Sequence, residues 1–323
     1  MIFNRRTKDQ FCPKTGKPRR LAVLVTLPLL AAMAHSQASG GQSAPETTLK
    51  VDVKLVNVFV TVSDPHGAPV SGLTKDSFHL EEDGKEQKIA VFDKQSAVPL
   101  SIVLAVDTSL STRRDLPQEQ AAAKRFVHTV LRPSDVVAVY GFCESVRVSS
   151  PFTSELKRAD EGIERLKLGA ATALFDAIYS ASRALDRREG RKVIVLITDG
   201  GDTASSITYK QAARASQEAD AMVYSIIVVP IESSAGRETG GEHALIQLSE
   251  DTGGKYYYAD SAAQLDEAFH KIGDELRTQY LLAYYPADRV SSSSFRRISV
   301  KVEGQADYQT HHRTGYYTVK SDY

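Results

Sequence analysis

Hydrophobic residues in the middle of the chain come in short, nearly unbroken runs separated by amphipathic segments. Between the runs, apolar residues recur at helical spacing, as at Leu174, Ile178, Ala181 and Leu185. The runs span 102–106, 136–142, 193–198 and 222–229, and the helical segments lie near 117–131, 173–187, 208–220 and 261–276. Continuous apolar strands that alternate with helices predict a doubly wound, mostly parallel α/β sheet covered on both faces.

The two flanks of this region show the alternating pattern of half-buried strands instead. Val56, Val58, Val60 and Val62 alternate with other residues before the α/β region, and Ile298, Val300 and Val302 do so after it. Asp83-Gly84 is typical of a hairpin turn. We expect one small β-sandwich assembled from both flanks, with the α/β domain inserted between them. Two separate β appendages are the alternative.

The first residues carry the pattern of an export signal. A basic stretch ends at Arg19-Arg20, an apolar run extends over 21–34, and Ala32-Met33-Ala34 closes it. This order is that of a secretory signal peptide, and a run of 14 residues falls short of the roughly 20 that span a bilayer. We therefore expect an exported protein, periplasmic or secreted, without a stable membrane span once the signal is removed. An uncleaved anchor is the alternative.

The predicted organisation follows from these patterns. It comprises a signal peptide (1–34), a disordered linker (35–48), the first part of the sandwich (49–97), the α/β domain (98–277) and the second part of the sandwich (278–323). The linker is assigned because its residues are small and polar.

Charge and cysteine content narrow the function classes. The whole chain has 40 basic and 40 acidic residues, and residues 1–34 hold seven of the basic and one of the acidic ones. The remaining 33 basic and 39 acidic residues give a net charge of −6. A mildly acidic protein is a poor partner for nucleic acid or for an anionic membrane surface. Cys143 is the one cysteine outside 1–34, and its apolar surroundings predict a small buried side chain.

Candidate chemistry lies at the expected carboxyl ends of the apolar strands. Asp107, Ser109 and Ser111 follow the run 102–106, Asp199 follows 193–198, and Thr172 precedes the helix that begins near Ala173. Doubly wound sheets bind ligands at this edge, where strand order reverses. Carboxylate and hydroxyl oxygens suit a small, hard cation, so we expect Mg²⁺ or Mn²⁺. A single Asp-x-Ser-x-Ser motif would also fit a helix N-cap.

These motifs resemble the metal-ion-dependent adhesion site of the von Willebrand factor type A domain. The resemblance covers about 98–277 and includes Asp107-Thr108-Ser109-Leu110-Ser111, Thr172 and Thr198-Asp199-Gly200. The flanks, with Gln279-Tyr280-Leu281-Leu282-Ala283-Tyr284-Tyr285-Pro286, are similar to an exported bacterial subfamily frequent in Acidobacteria. The resemblance implies a cation held by Asp107, Ser109, Ser111 and Thr172, with Asp199 bound through water. It also implies a protein partner that completes the coordination with an acidic side chain.

Three function classes remain at this stage. The first is an exported, metal-dependent protein-binding module rather than an enzyme. The second is a metal-free structural or envelope scaffold, because one fold serves many functions. The third is an Asp-based phosphohydrolase, which is disfavoured because such enzymes place a second Asp where this chain has Ser109. No common nucleophile-elbow, zinc-helix or phosphate-loop motif occurs in the sequence. The identity of the partner and the oligomeric state cannot be read from the sequence.

Overall fold

The computed structural model describes residues 55–94, 98–229, 239–287, 295–305 and 307–318. The predicted signal peptide (1–34), the predicted linker (35–48) and the expected start of the sandwich at 49–54 lie outside these residues. By their contacts, all of these described residues belong to one compact unit.

Fourteen strands and six α-helices occur in the described residues. The strands are β1 Val56–Ser63, β2 Phe78–Glu82, β3 Lys85–Glu86, β4 Ile89–Lys94, β5 Leu100–Asp107, β6 Val136–Phe142, β7 Val146–Thr153, β8 Arg191–Thr198, β9 Ala221–Val228, β10 Tyr256–Ala259, β11 Tyr280–Tyr284, β12 Phe295–Val302, β13 Gln309–His311 and β14 Gly315–Tyr317. The helices are α1 Leu116–Val130, α2 Leu156–Glu164, α3 Leu174–Asp186, α4 Tyr209–Glu218, α5 Thr239–Thr252 and α6 Ala262–Thr278.

The central layer is a six-stranded sheet in the order β10-β9-β8-β5-β6-β7. All neighbours pair in parallel except β7, which is antiparallel to β6. Side chains of β5 alternate between two cores, so that Leu104 packs with α1, α2 and α6 while Ala105 packs with α3, α4 and α5. The predicted doubly wound, mostly parallel sheet is confirmed, and strand order reverses between β5 and β8.

Two four-stranded antiparallel sheets draw strands from both flanks. Their orders are β13-β1-β11-β4 and β14-β12-β2-β3. Val58 and Val60 of β1, Leu80 of β2, and Leu282 and Val300 from the other flank share one apolar core. The predicted sandwich built from both flanks is therefore confirmed, and the alternative of two separate appendages is wrong.

The turn between β2 and β3 illustrates a local signal that the structure confirms. Asp83 and Gly84 both have positive φ angles, 50° and 76°. A two-residue hairpin turn whose residues both have positive φ matches the right-handed twist of the strands that it joins. Gly84 adopts this conformation without steric cost because it has no Cβ.

The structure adds three elements that the hydrophobic pattern did not indicate. Strand β7 is an edge strand that contains Pro151, and α2 has only nine residues with few apolar ones. Helix α5 begins with Gly240-Gly241, which weakens the helical pattern at its start.

Within the described residues, no helix combines the length and the apolar character needed to cross a membrane.

The α/β layer is inserted between two strands that pair with each other, β4 and β11. The chain enters it through Val98 before β5 and leaves it through Gln279 between α6 and β11. The buried guanidinium of Arg191 forms hydrogen bonds with both of these connections. Its Nε donates to the Val98 carbonyl at 3.1 Å, and its Nη1 donates to the carbonyl of Leu276 and to Gln279 Oε1. Arg191 thus ties the entry and the exit of the inserted layer together.

Replacing Arg191 with Met is expected to destabilise the protein by about 3 kcal/mol. The substitution keeps much of the aliphatic stem but leaves buried carbonyls without a donor, and hydrogen bonds from a charged donor are the stronger class. Urea denaturation followed by circular dichroism would measure the loss. Arg187→Met, at the exposed end of α3, is the matched control and should shift the free energy of unfolding by less than about 0.5 kcal/mol. Equal effects of the two substitutions would contradict the role of Arg191.

Candidate functional site

The carboxyl end of β5 delivers Asp107 into the interior of the molecule. Its side chain is fully buried, and each of its carboxylate oxygens accepts one hydrogen bond. Oδ1 accepts from the backbone N–H of Ser109 at 2.9 Å, and Oδ2 accepts from the hydroxyl of Thr198 at 2.7 Å. These contacts hold the carboxylate still and leave each oxygen with further acceptor capacity.

The environment of Asp107 makes its negative charge costly. Burial, with a smaller contribution from the nearby charge of Asp199, raises the pKa of this carboxyl to about 6. Hydrogen bonds from Ser109 and Thr198 oppose the rise. A carboxylate in this situation gains stability from a neighbouring positive charge, which is what a bound cation supplies.

The turn after β5 brings two hydroxyls together. Ser109 Oγ lies 2.8 Å from Ser111 Oγ, although Ser109 is buried and Ser111 is exposed. Thr112 stabilises the turn because its hydroxyl donates to the carbonyls of Asp107 and Ser109, at 3.2 and 3.0 Å. The turn is therefore fixed by its own polar contacts, and it opens to solvent at Ser111 and at Leu110, whose side chain is 55% exposed.

Asp199 reaches the same edge because β8 pairs with β5. The register places Val106 opposite Ile197, so the next residues, Asp107 and Thr198, are neighbours at the strand ends. Gly200 follows with φ +93° and donates its backbone N–H to Thr198 Oγ1 at 3.1 Å. A Cβ on Gly241, near the start of α5, would lie 1.5 Å from the Gly200 carbonyl oxygen, so only glycine permits this close approach. The start of α5 thus buttresses the loop that carries Asp199.

Thr172 comes to this edge through backbone contacts. In its loop, Gly169 donates its N–H to the Thr108 carbonyl at 2.8 Å, next to Asp107. Thr172 itself donates its N–H to the hydroxyl of Thr203, and its carbonyl accepts from the N–H groups of Thr203 and Ala204. The loop that contains Thr172 is therefore bonded to both of the loops that carry the other four residues.

Direct hydrogen bonds thus link Asp107 to Ser109 and Ser109 to Ser111, while Asp199 and Thr172 join them through neighbouring residues. Their assignment as metal ligands stays a prediction. Within the described part of the chain, no group of three or more His, Cys, Asp or Glu side chains is placed to hold a metal. The candidate site has two carboxylates and three hydroxyls, which is a donor set of a different kind.

Two other aspartates near the site have structural roles. Asp202 Oδ1 accepts from the N–H of Leu174 at 2.8 Å, at the start of α3. Asp176 Oδ1 accepts from the N–H groups of Ser206 and Ile207, at 3.0 and 2.8 Å. Both carboxylates satisfy otherwise free backbone donors, and these bonds fasten the loop after β8 to the start of α3.

Sequence reasoning missed two residues that shape this region. Thr198 was included in the apolar run before Asp199, yet its hydroxyl is a hydrogen-bond partner of Asp107. Glu119 of α1 is buried, and the charges of Asp107 and Asp199 help to raise its pKa. The Thr-Asp-Gly order offered a signal for Thr198, whereas Glu119 had none beyond a polar residue on an otherwise apolar helix face.

The chain was compared with curated proteins, with solved structures and with protein-family models. No curated protein matches the chain. Among solved structures, the chain is similar to the conserved hypothetical protein BatB from Bacteroides thetaiotaomicron, with 21% identity, a TM-score of 0.45, and coverage of 55% of this chain and 100% of that one. It is also similar to a von Willebrand factor type A protein from Catenulispora acidiphila, with 13% identity, a TM-score of 0.49, and coverage of 80% and 73%.

A third similar structure is the vWF domain of the type V pili tip protein Mfa5 from Porphyromonas gingivalis, with 14% identity, a TM-score of 0.47, and coverage of 55% of this chain and 95% of that one. A family model gives the more specific result. Residues 102–201, which contain all five candidate ligands, match the model of the von Willebrand factor type A domain.

Proposed function

We propose that the loops at the carboxyl edge of the six-stranded sheet hold a divalent cation, Mg²⁺ or Mn²⁺, and present it to a partner protein. Asp107, Ser109, Ser111 and Thr172 are the proposed ligands, with Asp199 acting through water. An acidic side chain of the partner would complete the coordination. The bound ion would supply a localised positive charge with an open coordination position.

The observation that carries this proposal is the 2.8 Å separation between Ser109 Oγ and Ser111 Oγ. Mg²⁺ binds oxygen at about 2.0–2.1 Å in octahedral geometry, so adjacent ligand atoms lie about 2.9 Å apart. The two hydroxyls therefore already have the spacing of one octahedral edge. The two hydroxyls form a hydrogen bond with each other, and a cation that bound both oxygens would replace it.

Neutral ligands matter for the proposed role. Hydroxyls coordinate without cancelling the charge of the ion, so a site with few carboxylates keeps its attraction for an anionic partner group. The site is also accessible, because Leu110 and Ser111 are exposed while Asp107 and Ser109 are buried. Exposed Leu110 and Leu168 would add apolar contact around the ion. These features favour binding over catalysis.

The proposed setting is outside the cytoplasm. Its support is the leader-like sequence of residues 1–34, with basic residues up to Arg19-Arg20 followed by a short apolar run. An exported interaction module with a metal-dependent surface is therefore the function that we infer. The similarity of the flanks to the exported subfamily frequent in Acidobacteria belongs to the same proposal.

Asp107→Asn is expected to weaken Mn²⁺ or Mg²⁺ binding more than about tenfold, because even residues that only orient metal ligands cost 10- to 100-fold when replaced. Isothermal titration calorimetry of the purified protein would measure the affinity. Ser111→Ala should weaken it by a smaller factor, since water can replace one hydroxyl. Asp93→Asn, in sandwich strand β4, is the control and should leave the affinity unchanged.

Equal affinities for wild type, Asp107→Asn and Asp93→Asn would contradict the metal site. In that case the metal-free scaffold becomes the better account, because the same fold would then serve packing alone. The circular dichroism spectrum of each variant should match that of wild type, so that a lost site is not confused with lost folding.

An open coordination position makes a second prediction for the Mn²⁺-loaded protein. Water bound to Mn²⁺ should shorten the longitudinal relaxation time of solvent protons, and acetate should reverse part of this effect by displacing that water. Acetamide, which is uncharged and of similar size, should reverse much less. Identical titration curves for acetate and acetamide would show that the ion does not recruit a carboxylate.

A further inference from the structure

A cavity lies near the candidate metal site, at the same edge of the sheet. It has a volume of about 220 Å³, is open to solvent, and is lined by the start of α1, the end of β9 and the turn from β10 into α6. Val228, Ala259 and Leu265 form an apolar wall, while Asp115, Glu119 and Asp260 contribute carboxylates. The cavity therefore combines an apolar surface with negative charge.

Glu119 is the unusual member of this lining. It is only 1% exposed, and neither of its carboxylate oxygens has a hydrogen-bond partner among the described residues. Buried carboxylates in proteins are normally paired, because an unpaired one loses its hydration without compensation. Burial, together with the charges of Asp107, Asp115 and Asp199, raises the pKa of Glu119 to about 8. Among the described residues, no donor therefore forms a hydrogen bond with the carboxyl of Glu119.

The shape and chemistry of the cavity indicate which cation it suits. A bare metal ion would need several oxygen ligands close together, and the described residues hold no cluster of three or more acidic, His or Cys side chains of that kind. An aliphatic chain with a charged end places methylenes on apolar walls and its head on a carboxylate. Arg114 also lines the cavity, beside the three acidic side chains of Asp115, Glu119 and Asp260.

We propose that this cavity binds an alkylammonium or alkylguanidinium group, namely the side chain of a lysine or arginine presented by a partner protein. Glu119 would form the ion pair at the inner end, Val228, Ala259 and Leu265 would contact the methylenes, and Asp260 would lie at the exposed side. This site is distinct from the proposed metal site and does not require a bound metal.

The test uses n-butylammonium as the probe and n-butanol as its uncharged counterpart. Ligand-observed nuclear magnetic resonance titrations should show saturable binding of n-butylammonium to the wild-type protein, with a dissociation constant of about 1 mM, the affinity scale of a small ligand. Binding should weaken at least tenfold in Glu119→Gln, and n-butanol should bind at least tenfold more weakly than n-butylammonium. Glu164→Gln, at the exposed end of α2, is the control and should bind like wild type.

The stability of the Glu119→Gln variant is measured separately, by urea denaturation. Glu119→Gln keeps the side-chain size and removes an unpaired acid, so its urea midpoint should equal or exceed that of wild type. Asp260→Asn, at an exposed position, provides a second variant and should weaken n-butylammonium binding by about twofold to threefold, in keeping with the modest strength of exposed ion pairs.

Absence of saturable n-butylammonium binding to wild type, or unchanged binding in Glu119→Gln, would overturn the proposal. Loss of Mg²⁺ affinity in Glu119→Gln without a change in n-butylammonium binding would also overturn it, because Glu119 would then serve as counter-charge to the metal. If wild type binds no Mg²⁺ but n-butylammonium binding depends on Glu119, this proposal stands and the metal-dependent function fails.

Discussion

The parallel pairing of β5 with β8 is the constraint on which the rest of the site depends. Because the two strands run in the same direction and in register, Asp107 and Thr198 end side by side. The hydrogen bond between their side chains joins the two strand ends, and Asp199 follows at the next position. Strand order reverses at this pair, so the chain leaves β5 toward α1 on one face and the helix before β8 lies on the other. The five candidate ligands lie on the loops at this edge of the sheet, between the helices of the two faces.

Surrounding elements stiffen this edge through backbone contacts. The loop before α3 is bonded to Thr108 on one side and to the loop after β8 on the other. Helix α5 approaches Gly200 so closely that Gly241 is required there. The same convergence places Glu119 of α1 near Asp107 and Asp199, which concentrates negative charge on one small region. Two proposed binding sites for positive groups, a metal ion and an alkyl cation, therefore have a common electrostatic origin.

Most of the architecture could be predicted because it depends on periodicity. Unbroken runs such as 102–106 became strands buried on both faces, and the alternation at Val56, Val58, Val60 and Val62 became one face of the sandwich. Prediction failed where local signals are weak or mixed. Edge strand β7 contains Pro151, and α5 has two glycines in its first turn. Proline is unusual in a strand and glycine in a helix, so the composition of these segments did not indicate their structure.

The sequence alone determined which chemical groups are present and on which elements they lie, because strand and helix periods are local properties of the chain. It placed Asp107, Ser109, Ser111, Thr172 and Asp199 at strand and helix ends. Only the tertiary structure decided which distant residues contact one another. The hydrogen bonds of Asp107 with Thr198 and of Arg191 with Val98 join residues some 90 positions apart in the sequence. Only the tertiary structure showed that Glu119, a polar residue on the apolar face of α1, has no hydrogen-bond partner among the described residues, because the neighbours of a buried side chain come from other elements.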